Sequence, residues 1–124
     1  MKFLLDANTI ILLLSGTNDE LRARISRCAE GDLAMSAVAF AEVAVGSWNG
    51  KKPSLIAVDE LARLIPIVPF DGLAAREYAR LPFKRGSFDR MIAAHALALD
   101  LTLVTDNERD FTEIPGLRVE NWTR

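Results

Sequence analysis

A chain of 124 residues, 50% hydrophobic and 26% charged, has the size and composition of one compact domain over residues 1–124, too small for two and too apolar for a disordered segment. Its net charge of −2 excludes a protein that grips nucleic acid through a generally basic surface. Any nucleic-acid partner must then be met by a local basic strip, or by a metal ion that neutralises acidic groups. Cys28 stands alone, which excludes an internal disulfide and a cysteine-built zinc site; it reads as a small, partly buried hydrophobe in a reducing, cytoplasmic setting. Asp6 interrupts the opening apolar residues and the run 10–14 is far too short to span a bilayer, so neither a signal peptide nor a membrane segment is expected.

The chain alternates short β-like runs with helical ones. Phe3-Leu4-Leu5 reads as a buried strand ending at Asp6, followed by a helix over 7–14 that Gly16 stops. Asn18 caps a second helix, with Asp19 and Glu20 in its positive first turn and Gly31 just past its end. Leu33-Ala34-Met35 is a second strand. Ser36 then caps a helix through Val45, closed by Gly46. After the turn at Lys51-Lys52-Pro53 come a helix over 54–64 and a strand over 65–68. Asp71 caps a helix to Leu81, and Ser87 caps another to Leu99. A β-branched strand over 101–105 and a short one over 117–120 finish the chain. This alternation predicts an α/β fold, a central and mostly parallel sheet flanked by helices.

Carboxylates stand where such a fold places its ligands. Asp6 follows the first strand and Asp106 follows Leu103-Val104-Thr105; in open α/β sheets the crevice lies beyond the carboxyl ends of the strands. An Asp there also caps the next helix well, so position alone leaves both readings open. Glu42 sits in Ala37-Val38-Ala39-Phe40-Ala41-Glu42-Val43-Ala44-Val45, among apolar neighbours. A buried carboxylate needs a partner, either an Arg from another helix or a metal or substrate. Asp89 opens the helix that continues Arg90-Met91-Ile92-Ala93-Ala94-His95, where the helix dipole favours it. Three or four carboxylates gathered from distant segments would repel one another without a cation. Mg²⁺ takes oxygen ligands of this kind, and the matching chemistry is metal-assisted hydrolysis of a phosphodiester.

Other residues have plainer readings. His95 lies six residues after Asp89 and points to another side of the helix, which suits a structural role. Trp48 and Trp122 are isolated and read as core or interface. Arg76, Arg80, Lys84, Arg85 and Arg90 outnumber the acids Glu77 and Asp89 across positions 76–90. That is either a solvated helix face or a strip that contacts RNA phosphates, with Lys84, Arg85 and Arg90 nearest the acids.

Motifs in order along the whole chain carry a resemblance. Leu4-Leu5-Asp6-Ala7-Asn8 is similar to L-L-D-T-N, and Ser36 with Glu42-Val43-Ala44-Val45-Gly46 to S-x₅-E-L-x-x-G. Asp89-Arg90-Met91-Ile92-Ala93-Ala94-His95-Ala96 is similar to D-x-x-I-A-A-H-A. The stretch Leu103-Val104-Thr105-Asp106-Asn107-Glu108-Arg109-Asp110-Phe111 is similar to the ending of the same family. The chain thus resembles PIN-domain ribonucleases, specifically the VapC-type toxins of bacterial toxin–antitoxin systems. The resemblance implies an endoribonuclease that uses Mg²⁺ or Mn²⁺, the toxin of a type II pair, neutralised by a cognate antitoxin and dimeric. Asp6, Glu42 and Asp89 would be the catalytic, metal-holding acids. Asn8 and Ser36 would support Asp6 by hydrogen bonds, with Asp106 and Asn107 at the edge of the site. The chain departs from the pattern at Ala7, where Thr or Ser is common, and at Asn107, where the fourth acid falls. The stretch from Leu81 to Ser87 is also shorter than in many relatives. Whether Asp106, Asn107 or Asp110 completes the site stays open.

Two further expectations concern partners and rivals. The near-neutral charge and the apolar helices over 7–14 and 54–64 predict a homodimer, and an antitoxin that lays an apolar helix and a basic side chain across the acidic pocket. The rivals are a metal-dependent DNA nuclease or phosphatase using the same carboxylates, and a non-catalytic module whose acidic pocket captures an Arg. No D-x-D-x-(T/V) signature supports an aspartyl-phosphate route.

Overall fold

Five apolar runs line up as one all-parallel sheet in the computed structural model, which describes residues 1–82 and 87–124. The strands are β1 (Phe3–Leu5), β2 (Leu33–Ser36), β3 (Ile67–Val68), β4 (Thr102–Val104) and β5 (Val119–Glu120), in the order β3-β2-β1-β4-β5. In the centre, Leu4 pairs with Ala34 on one side and Leu103 on the other, and all three are fully buried. Parallel strands need crossovers, which the helices α1 (Ala7–Ser15), α2 (Asp19–Ser26), α3 (Ala37–Trp48), α4 (Leu55–Leu64), α5 (Gly72–Arg80) and α6 (Phe88–Leu99) supply. The α/β fold with a central parallel sheet is therefore as the sequence predicts.

Local signals explain where the helices begin. Asp6, Asn18, Ser36, Ser54, Asp71 and Ser87 each accept a hydrogen bond from a backbone N–H in the first turn of the helix that follows. Each such cap contributes about 1 kcal/mol. Ends were harder to read. Gly46 does not close α3, which runs on to Trp48 and ends where Asn49 caps it and Gly50 turns at φ +81°. Likewise α2 ends at Ser26 rather than near Gly31. There the chain turns through Ala29–Asp32, with Asp32 Oδ2 accepting from the Ala29 N–H at 2.9 Å. The outer strands are shorter than the apolar runs that contain them, because each pairs on one side only over two residues.

The strand order fixes where a ligand can sit. From β1 the chain steps outward to β2 and β3, then crosses back to β4 on the other side of β1. The crevice of such a sheet opens at this reversal, beyond the carboxyl ends of β1 and β4. Asp6 is the first residue past β1, and Thr105 and Asp106 are the first past β4. No helix among the described residues is long and apolar enough to cross a membrane.

Candidate metal centre

Asp6 is the most deeply buried of the acids, at 4% exposure. Its Oδ1 accepts from the Thr9 N–H at 2.9 Å, closing the first turn of α1, and its own N–H donates to the Val104 carbonyl across the sheet. Burial pushes its pKa up; hydrogen bonds from Thr105 and Thr9 work the other way, and the Asp106 charge adds to the rise. So Asp6 caps α1, and the cap leaves its buried carboxylate beside the charge of Asp106.

Glu42 projects from the second turn of α3 into the same region. Its Oε1 is inaccessible to solvent and has no hydrogen-bond partner among the described residues. Among the described residues no ion pair reaches it either, so none of them supplies the expected structural alternative of a bridge to an Arg. Its pKa is raised by burial first, then by the charges of Asp89 and Asp6. Asp89, in the first turn of α6, is raised by burial, by the Asp110 and Asp6 charges and by a hydrogen bond shared with Asp110. Acids from the end of β1, from α3 and from α6 thus lie in one another's field, with no ion pair to offset them among the described residues. Among the described residues no three acidic, histidine or cysteine side chains already enclose one point as a finished cage. Like charges standing apart is what repulsion demands.

Several supporting residues stand elsewhere than the sequence suggested. Asn8 is exposed, and among the described residues its side chain makes no hydrogen bond. One position further along α1, Thr9 faces inward and supplies the support to Asp6. Ser36 is fully buried but serves α3: its hydroxyl accepts from the Val38 N–H at 3.1 Å and lies 2.9 Å from Nδ1 of His95. His95 is buried, stacks edge-on against Phe70, and has its pKa lowered by burial despite an opposing pull from the Pro69 carbonyl and Asp71. Thr105 was not singled out by the sequence reading. It is buried, hydrogen-bonds Asp6 and takes the N–H of Asn107 at 3.0 Å. Its signal was a polar residue at the end of an apolar strand. Asp106 stays beside Asp6, with its Oδ1 buried and without a hydrogen-bond partner among the described residues. Trp122 is core, 1% exposed, whereas Trp48 is 79% exposed.

Beside Asp89 the surface opens into a cleft of about 610 Å³ whose lining includes Ser87, Asp89, Arg90, Arg109, Asp110 and Thr112. Arg90 donates to the Pro82 carbonyl at its rim. Arg109 makes no side-chain hydrogen bond or ion pair among the described residues. The expected RNA contacts Lys84 and Arg85 lie outside the described residues.

Comparison with known proteins places this architecture. Residues 3–117 match the PIN domain family. A tRNA(fMet)-specific endonuclease VapC of Shigella flexneri is 31% identical over 132 residues, covering 99% of both chains. A Ribonuclease VapC1 of Haemophilus influenzae is 28% identical with full coverage of both. Among solved structures, the VapBC2 complex of Rickettsia felis bound to a promoter DNA fragment matches with a TM-score of 0.87 at 27% identity, over 98% of this chain and 99% of that one. The VapBC-1 structure of Haemophilus influenzae matches at 0.85 and 27%, over all of both chains.

Proposed function

This chain belongs to the PIN-domain family, and on that premise we propose that it is a VapC-type endoribonuclease, the toxin of a type II toxin–antitoxin pair. It hydrolyses RNA phosphodiester bonds with Mg²⁺ or Mn²⁺ held by Asp6, Glu42 and Asp89. The observation that carries the ion site is the orphaned Glu42 Oε1, buried in the field of two other carboxylates with no cation beside it. Unpaired buried carboxylates cost several kcal/mol, and a hard divalent ion removes both the repulsion and the unmet bonding. When bound, the ion activates water and stabilises charge at phosphorus. The chain's own residues hold the geometry. Thr9 and Thr105 fix the Asp6 carboxylate, and α3 brings the unpartnered Oε1 of Glu42 toward it. Arg90 and Arg109, in the cleft wall beside Asp89, suit contacts to the RNA backbone.

The name of the Shigella relative makes transfer RNA the first substrate to test. A cognate antitoxin fits the surface as well as the family. Between α1 and α4 runs a groove lined by Ile11, Leu14, Pro53 and Ala57, apolar enough for an amphipathic helix. Exposed Val45, Trp48, Ile56 and Leu73 are apolar surface of the kind that a homodimer covers. Such a toxin works in the cytoplasm, where its RNA is.

The test pairs RNA cleavage in Mn²⁺ with thermal unfolding in EDTA, for wild type and Asp89→Asn. Lost cleavage with equal or higher stability in EDTA supports the ion site. Retained cleavage, or a loss of about 3–5 kcal/mol as for a broken buried ion pair, overturns it.

A further inference from the structure

Beyond residues 3–117, the part that matches the PIN domain family, the chain adds β5 and a short tail that folds back over the turn after β4. The ladder between β4 and β5 stops where the Thr105 N–H donates to the Glu120 carbonyl at 3.1 Å. The next residue, Asn121, carries it on with its side chain. Its Nδ2 donates to the Glu108 carboxylate at 3.1 Å and to the Asp106 carbonyl at 3.5 Å. Its Oδ1 accepts from the Thr123 N–H at 2.8 Å and from the Thr123 hydroxyl at 2.6 Å. One half-buried amide thus uses both its hydrogens and both its lone pairs. Arg124 reaches the same Glu108 oxygen.

This clasp grips one end of the 3₁₀ turn Glu108–Phe111, and Phe111, 3% exposed, anchors the other end in the core. Between the two anchors stands Arg109. It is exposed, lines the cleft beside Asp89, and makes no side-chain hydrogen bond or ion pair among the described residues. A guanidinium with no partner of its own is aimed only by the backbone that carries it. A loose turn would have to be ordered before that guanidinium could make a charge-assisted contact to a phosphate. An amide suits the clasp, since Asp at 121 would lose both donors and set a second negative charge against Glu108.

We infer that Asn121 is a positioning residue for RNA binding: through Glu108 and the Asp106 carbonyl it fixes the turn that presents Arg109 to a substrate phosphate. Asn121 does not line the cleft and acts on RNA only through Arg109. The inference rests on the ribonuclease reading above.

The experiment measures cleavage of unfractionated transfer RNA in Mn²⁺ and, in EDTA, the salt dependence of its binding. The proteins are wild type, Arg109→Gln, Asn121→Ala and the double variant. Arg109→Gln should raise KM roughly tenfold, as loss of a hydrogen bond to a charged group does. It should also flatten the slope of log affinity against log salt by about 1. Asn121→Ala should do the same in both readouts, with kcat and Mn²⁺ affinity as in wild type. The double variant should be no worse than Arg109→Gln, because both act through one contact. A merely structural role would lower Tm and leave the salt slope alone. Glu108 supplies the same test without touching Asn121. Glu108→Gln keeps the acceptor and Glu108→Ala removes it, so the second should bind RNA roughly tenfold more weakly than the first. Additive losses in the double variant, or equal binding by the two Glu108 variants, overturn the assignment. Wild type that cleaves RNA while Arg109→Gln keeps its KM and slope overturns this inference alone. Wild type that neither binds nor cleaves RNA overturns the ribonuclease reading and this inference with it.

Discussion

Two regions of this domain treat acidic residues in opposite ways. Around β5 and the C-terminus Glu120, Asp100 and Glu108 each have a cation. Arg24 pairs with Glu120 at 3.1 Å while its guanidinium lies over Trp122, and Trp122 Nε1 donates to the same carboxylate at 2.9 Å. Arg118 pairs with Asp100 and Arg124 with Glu108. At the carboxyl ends of β1 and β4, by contrast, Asp6, Glu42, Asp89 and Asp110 have no ion pair among the described residues, and burial raises the pKa of the first three. The first region spends its charges on holding the chain together. The second keeps them unmatched at a cost in stability, and unmatched buried charge marks function more reliably than charge itself.

The comparison can be broken from either side. The largest effect on stability is expected in the paired region, where Trp122 fills the core against Phe3. Trp122→Ala should cost about 3–5 kcal/mol by chemical denaturation, with Mn²⁺ affinity of the folded fraction unchanged. If affinity fell as well, the two regions would not be separable.

Next comes the ion. Mn²⁺ at about 100 times its dissociation constant should stabilise wild type by about 2.7 kcal/mol and Asp6→Asn much less. An equal gain in both would remove Asp6 from the site.

Ser36 sharpens the boundary between the regions, since it joins α3, which carries Glu42, to α6, which carries Asp89, through His95. Ser36→Ala loses a helix cap and leaves the His95 nitrogen unbonded, so about 2 kcal/mol should go in EDTA. No loss would mean that the contact is idle.

A smaller, pH-dependent effect isolates Asp89. Its folded pKa is raised, so the stability it contributes is present when it is protonated and is lost as pH rises through the folded value. In EDTA, Asp89→Asn should therefore exceed wild type in Tm near about pH 7, and the gap should close toward about pH 4. A gap that widens on acidification would reverse the sign and the assignment. Smallest of all is Arg24→Gln in the paired region, whose partly exposed ion pair should be worth under about 1 kcal/mol.

Much of the fold was legible because its signals are local. A capping side chain acts within three residues, and apolar runs between Gly and Pro mark strands whatever they later pair with, so the six helix starts and the alternation could be read directly. Gly46 misled because hydrogen bonds carry α3 past it to Trp48: the Ser47 hydroxyl donates to the Val43 carbonyl at 3.1 Å and the Asn49 N–H to the Val45 and Gly46 carbonyls. The three acids Asp6, Glu42 and Asp89 could be named from their apolar surroundings and from motif resemblance. Asn8 and Thr9 could not be told apart as supports of Asp6, since which of two adjacent helix residues faces the strand end depends on how α1 docks.

By itself the sequence determined the α/β class, the helix caps and which carboxylates stand in places that stability does not explain. Only the tertiary structure decided that Asp6, Glu42 and Asp89 lie in one another's field, that Thr9 and Thr105 hold Asp6, that Ser36 meets His95, and that Asp110 lines the same cleft as Asp89. The reason is physical. Caps and apolar periodicity act between near neighbours in the chain, whereas the field at Glu42 is set by groups on β1 and α6, and the crossover that returns the chain from β3 to β4 is what brings them within reach.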